Sequence, residues 1–409
     1  MQTEFFRKKL KNGLTILFEK RNLPVVAVSA SVRLGGAYET EKNKGVSHFI
    51  EHLLFKGTKK RNQEEIAAEI EKKGGILNGF TSEDVTSYWC KLPSKHFETA
   101  MDIPSDLILN PLFDIAEFEK EKQVIIEEIK MYHDDARRYS TEKIKELLYE
   151  KPFGMSIAGD ANIIRALKRE NVAEIFSSLY TPDSMILAVV GDAEFEEICR
   201  IAEKLYPAKK RSAIDYAAVR RNDEASEKRK GIDQAHFVFG LHAPTIKQQE
   251  RYAHEIAGEY LFGGMSSRLF QEIREKRGLA YAVKGEYDCG RNYGYVMIYA
   301  GTTEDKIKTI REIILKEIKR LKDIEQRDID EIKEQLIGQR DISRENSVDV
   351  LNSLMFEEAA GSAEEYYKYS ERISSVKPGD VKRVSEIKGF SSFSLIPEAK
   401  SNKNIKNKD

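Results

Sequence analysis

Cysteine is scarce in this chain: three in 409 residues, Cys90, Cys199 and Cys289, far apart and odd in number. That count excludes a disulfide framework, and the spacing excludes a cysteine metal site. Charge of one sign is also missing. With 67 basic against 68 acidic side chains the formal charge is −1, so neither a nucleic acid nor an anionic membrane is expected as partner. No apolar run approaches the length of a membrane span, and residues 1–10 are charged where a secretory signal needs an apolar core. A cytoplasmic protein is the expectation.

What is present is 41% hydrophobic residues and a third charged ones. At this length the composition predicts two to three domains, each burying its own core. The most informative stretch is Val46-Ser47-His48-Phe49-Ile50-Glu51-His52-Leu53-Leu54, closed by Gly57. At roughly 100° per residue, Val46, Phe49, Ile50, Leu53 and Leu54 share one helical arc, and His48, Glu51 and His52 the opposite one. Two imidazoles one turn apart can grip a metal ion, and the carboxylate between them can serve as a base for its water. This His-x-x-Glu-His order inverts the commoner zinc signature. A solvated face with two ordinary histidines has the same spacing, so a third ligand has to decide. A helix over residues 114–132 offers Glu121 and Glu128, stacked on an arc that also carries Val124, Ile125 and Tyr132.

Asn62 with Glu65 marks a capped helix that Gly74-Gly75 closes, followed by a hairpin of residues 76–80 and 85–92. Residues 185–190 are a continuous apolar strand. Residues 211–231 are highly charged and read as a linker between a first domain, 1–210, and a second, 232–399, with 400–409 a disordered polar tail. A slide of 207 residues lays Leu261-Phe262-Gly263-Gly264 over Leu54-Phe55-Lys56-Gly57, and puts Glu255, Gly258 and Glu259 where His48, Glu51 and His52 stand. The second half therefore repeats the plan without the ligands.

The pairing of His48-Phe49-Ile50-Glu51-His52 with Val124-Ile125-Ile126-Glu127-Glu128-Ile129 resembles the inverted zinc metallopeptidases of the pitrilysin and insulysin family, in the branch of the mitochondrial processing peptidase. Leu10-Lys11-Asn12-Gly13-Leu14, Asn78-Gly79-Phe80-Thr81, Gly264-Met265-Ser266-Ser267-Arg268 and Arg274-Glu275-Lys276-Arg277-Gly278-Leu279-Ala280-Tyr281 fit the same pattern. The resemblance implies an α+β fold of two homologous sandwich domains, each a mainly antiparallel sheet with packed helices. It makes His48, His52 and Glu128 ligands of one zinc ion per chain, Glu51 the base for the zinc water, and Glu121 a second carboxylate near the metal.

By the same resemblance, Arg274 and Tyr281 reach from the second half to the substrate, and the peptide adds as a strand along residues 75–81, where Gly75, Asn78 and Phe80 would meet it. Gly79 stands where relatives usually carry Ala and should loosen that edge. The implied activity is a zinc endopeptidase for unfolded peptides, working as a clam-like homodimer or as a heterodimer with an inactive relative. The alternative is a non-catalytic assembly subunit, against which the complete His48, Glu51, His52 and Glu128 set argues.

Overall fold

In the computed structural model, residues 4–209 and 214–398 are described. Strands β1 (Glu4–Lys9), β2 (Thr15–Lys20), β3 (Val25–Val32), β4 (Ile76–Thr81), β5 (Thr86–Pro93) and β6 (Met185–Gly191) form one sheet in the order β1-β2-β6-β3-β5-β4. Neighbours are antiparallel except β2 and β6. Strands β7 (Glu224–Arg229), β8 (Ala235–His242), β9 (Ala282–Cys289), β10 (Gly294–Thr302) and β11 (Ser391–Pro397) form the second, in the order β7-β11-β8-β10-β9. Only β7 and β11 run parallel there. The second order copies β2-β6-β3-β5-β4 strand for strand: β9 starts 206 residues after β4, and β8 starts 210 after β3. The fold is the expected pair of α+β units, and the internal repeat runs through both sheets.

Helices α1 (Val46–Leu54), α2 (Gln63–Glu71), α3 (Phe97–Leu109), α4 (Ile115–Asp134) and α5 (Ala136–Leu148) come from the first half. The start of α2 is the capping box read from Asn62 and Glu65: each side chain accepts from the other's backbone N–H, at 2.9 and 2.8 Å. Sheet chemistry then dictates the layering. Every residue of β6 is buried. Its Met185, Leu187 and Val189 enter the core built with α1 and α3, while Ile186, Ala188 and Val190 point to the other face. A strand apolar on both faces has to be covered on both. The second cover comes from the other half of the chain, where Leu351, Leu354 and Met355 of the helix Ser347–Ala360 lie on that face. The exchange is reciprocal: Ile144 and Leu148 of α5 pack with Val238, Phe393 and Leu395 of the second sheet.

Three expectations change. Residues 224–229, read as linker, are strand β7; a sheet edge tolerates the charged alternation of Glu224-Ala225-Ser226-Glu227-Lys228-Arg229, since one row of its backbone groups and most of its side chains face water. Tyr216 of the same segment donates its hydroxyl to Asp84 at 2.7 Å, so this stretch is built into the contact between the halves. The boundary at 210 likewise does not divide the packing, because each half lends a helix to the other's sheet. Val124, placed on the ligand arc of α4, is 44% exposed, whereas Ile125 is fully buried. The tail 400–409 lies outside the described residues. No helix among the described residues is long and apolar enough to cross a membrane.

Leu354→Ala should cost about 3 kcal/mol of unfolding free energy, as cavity-forming core truncations do. Urea denaturation measures the loss, and hydrogen exchange should show β3 and β6 loosening even though the substitution lies in the second half.

Candidate metal centre

Helix α1 is fixed at its start by a carboxylate from outside it. Glu39 accepts from the backbone N–H of Gly45 at 2.9 Å and of Ser47 at 2.6 Å, which caps otherwise unpaired amides with negative charge at the helix N-terminus. Gly45 itself has φ of 95°, and a Cβ there would stand 2.7 Å from the Cα of Gly159, so the turn into the helix requires glycine. Val46, Phe49, Ile50, Leu53 and Leu54 are all buried, as the arc analysis predicts. Phe49 meets Phe118 of α4 edge to face, with ring centroids 4.9 Å apart. Such a pair adds about 1 kcal/mol beyond its buried area and sets how the two helices lie. Asp114 caps the start of α4 by accepting from Ala116 and Glu117.

With the helices so placed, the ligand atoms of His48, His52 and Glu128 lie within 4.8 Å of one another. Glu128 Oε2 is 3.8 Å from His48 Nε2 and 3.5 Å from His52 Nε2. Donors about 2.0–2.2 Å from a tetrahedral zinc ion are about 3.3–3.6 Å apart, so these two pairs lie at or just beyond that spacing and the three residues could hold a zinc ion. His52 Nδ1–H donates to Glu121 Oε1 at 2.8 Å, which leaves Nε2 as the free electron pair, and Lys56 Nζ lies 2.8 Å from the other Glu121 oxygen. This is the outer support that orients a metal-binding imidazole.

The protonation state of His48 suits a ligand directly. Burial, with His52 and Arg138 nearby, pulls His48 down to about 3 and keeps it a neutral donor. Burial would lower His52 too, but Glu121, Glu51 and Glu128 hold it above its ordinary value. Burial would raise Glu121, yet hydrogen bonds from His52 and Lys56 keep it below the usual carboxylate range. Glu128 and Glu51 are both pushed up by burial, with Thr81 and His52 opposing at Glu51. A dication among these groups would favour the ionised carboxylates and the neutral imidazoles. A cavity of about 750 Å³ opens over them, walled by Glu51, Phe80 and Thr81 from the first half and Asp288, Tyr293 and Tyr295 from the second.

Residues 15–161 match the family model for insulinase, peptidase family M16, and residues 166–336 match that for the peptidase M16 inactive domain. A protein of Rickettsia felis called an uncharacterized zinc protease is 33% identical over 325 residues, 78% of this chain and 77% of its own. The chain belongs to peptidase family M16. Another member, the uncharacterized zinc protease YmxG of Bacillus subtilis, is 30% identical over 347 residues, covering 83% of this chain and 85% of its own. In fold, the M16 chain is similar to a crystal structure of a protease from Helicobacter pylori, with a TM-score of 0.91, 21% identity and coverage of 97% of this chain and all of that one. It is also similar to an M16 inactive-domain structure from Pseudomonas fluorescens, with a TM-score of 0.87, 17% identity and coverage of 97% and 98%.

In this M16 chain Glu121 stands beside His52 as expected, but not every expected substrate residue reaches the cavity. Phe80 lines it, whereas Gly75, just before β4, and Asn78, within it, do not; among the described residues β4 is an edge strand paired only with β5. Gly79 makes room for Phe55, since a Cβ there would stand 2.9 Å from its ring. Arg274 and Tyr281 are not brought to the metal residues of their own chain. Arg274 sits over the Phe270 ring and pairs with Glu275 at 3.4 Å, and Tyr281, just before β9, is 73% exposed. Neither lines the cavity. They belong to an outward corner of the second half, which sequence matching alone does not locate.

The M16 inactive domain keeps the geometry of the site in altered form. In the 207-residue register, Glu259 stands for His52 and Gln335 for Glu128. Gln335 donates to Glu259, as does Gln339 at 3.0 Å, so the pair that could share an ion is joined directly. Lys56, Thr81 and Arg138 were missed as site residues. The first two sit inside the motif segments already read, and Arg138 lies on α5, to which no element is assigned from sequence.

Glu121→Gln should keep the fold and weaken zinc affinity about 10- to 100-fold, the usual cost of losing an outer-shell partner. Competition against a chromogenic chelator reads it.

Proposed function

We propose that this M16 chain is a zinc-dependent endopeptidase that cuts unfolded peptides inside a chamber closed by two subunits. The observation that carries this reading is the cluster His48, His52 and Glu128, with ligand atoms within 4.8 Å of one another and Glu51 on the same helix face. The relatives called zinc proteases support it. An assembly subunit has no need of a complete ligand set, a base and a Glu121 support.

Held by His48, His52 and Glu128, a zinc ion would supply a Lewis acid for water and for a carbonyl oxygen. The chain's own residues do the rest. Glu51 takes the proton of the attacking water and returns it to the leaving amine, a transfer that burial favours by raising its proton affinity. His52, held by Glu121, keeps one tautomer throughout. The free edge of β4 offers main-chain hydrogen bonds to an extended peptide, which select for unfolded chain rather than for one sequence. Arg274 and Tyr281 lie on an outward corner, so in this reading they serve the metal site of a second copy, which makes the working unit a homodimer.

Wild type should cleave an unstructured peptide of about thirty residues internally, and Glu51→Gln should keep its zinc and lose at least about 100-fold in kcat. Mass spectrometry of products and elemental analysis decide between this and the assembly-subunit reading, for which neither zinc nor cleavage is expected. For the dimer, mixing inactive Glu51→Gln with inactive Arg274→Ala subunits should restore about a quarter of wild-type activity, since half the pairs are mixed and each mixed pair has one complete site. No recovery on mixing would place Arg274 outside the partner's site.

A further inference from the structure

Nothing in the proposed mechanism explains how Glu51 is kept in place. A glutamate has three rotatable bonds, and its carboxylate has to present one oxygen to a water at the metal. Among the described residues a single hydrogen bond reaches that carboxylate: Thr81 Oγ1 donates to Glu51 Oε2 at 2.6 Å. Thr81 is itself tied to the hairpin. It ends β4, pairs with Thr86 across the hairpin, and is followed at once by the turn in which Ser82 N–H donates to Val85 O at 2.8 Å.

We infer that Thr81 is the positioning residue for the base: its hydroxyl anchors one oxygen of Glu51, leaving the other free to take the proton, and so ties the base to the strand that receives the peptide. The inference rests on the peptidase reading and deepens it. Thr81 does not have to touch substrate. A peptide added along β4 stiffens the strand that carries Thr81, and the anchor passes that order to Glu51, so occupancy of the edge and readiness of the base are coupled through one hydroxyl.

The alternative role for Thr81 is only to fill a strand position that suits a β-branched residue. Valine and serine separate the two. Thr81→Val keeps the shape and loses the donor; Thr81→Ser keeps the donor and loses the branch. If the hydroxyl positions Glu51, Thr81→Val lowers kcat about tenfold, the effect of losing one hydrogen bond to a charged group, with KM within about twofold of wild type. Zinc content and melting temperature stay unchanged, and Thr81→Ser recovers most of kcat. Added to Glu51→Gln, Thr81→Val has no further effect, because the group it acts through is already gone.

Equal kcat in wild type and Thr81→Val overturns the inference, as does Thr81→Ser as slow as Thr81→Val. A rise in KM with kcat unchanged also overturns it, since that assigns Thr81 to docking. Wild type that binds zinc and cleaves nothing brings down the peptidase reading and this inference together, whereas active wild type matched by Thr81→Val brings down the inference alone.

Discussion

Three ligand atoms from two helices have to meet within 4.8 Å in a half-buried place, and much of the first half serves that constraint. Like-charged carboxylates and lone pairs repel when no ion lies between them, so the scaffold has to hold them against their own preference. It does so by rigid means. Glu39 caps α1, Phe49 against Phe118 fixes its pose on α4, and the line Lys56–Glu121–His52 fixes the ring. None of these contacts performs chemistry, and each is placed where a small rotation of α1 would move both imidazoles together.

The second half shows what becomes of the same frame when the constraint is lifted. Its sheet has the same strand order, and its helix Arg251–Phe262 stands where α1 does. With Glu259 and Gln335 in the ligand positions, the gap closes on itself through amide-to-carboxylate hydrogen bonds. The repeat therefore divides labour. One copy stays under electrostatic tension and can hold an ion; the other relaxes and contributes the far wall of the cavity through Asp288, Tyr293 and Tyr295.

Local features were legible in sequence wherever one short segment contains the whole cause. The two arcs of α1, the capping box at Asn62, the Glu121 and Glu128 pair and the all-apolar β6 each follow from spacing alone, and all stand in the structure. What escaped depends on contacts across hundreds of residues. The charge-rich run containing Glu224 looks like linker until β11, more than 160 residues later, pairs with it. Helix α5 and the helix Ser347–Ala360 are mixed in composition, and only the bare face of the opposite sheet explains their place. Thr81 is one more threonine at the end of a strand until the fold brings Glu51 to its hydroxyl.

The exchange of helices between halves also bears on how the chain is made. A ribosome releases the six strands of the first sheet long before it releases Leu351 and Leu354. Through that interval Leu17, Ile186, Ala188 and Val190 have no lid, and a metal site resting on that sheet has an incomplete foundation. The first half is thus obliged to wait, open and sticky, for most of the second to be synthesised. Completion of the frame around His48, His52 and Glu128 becomes a late event, gated by translation of the other half.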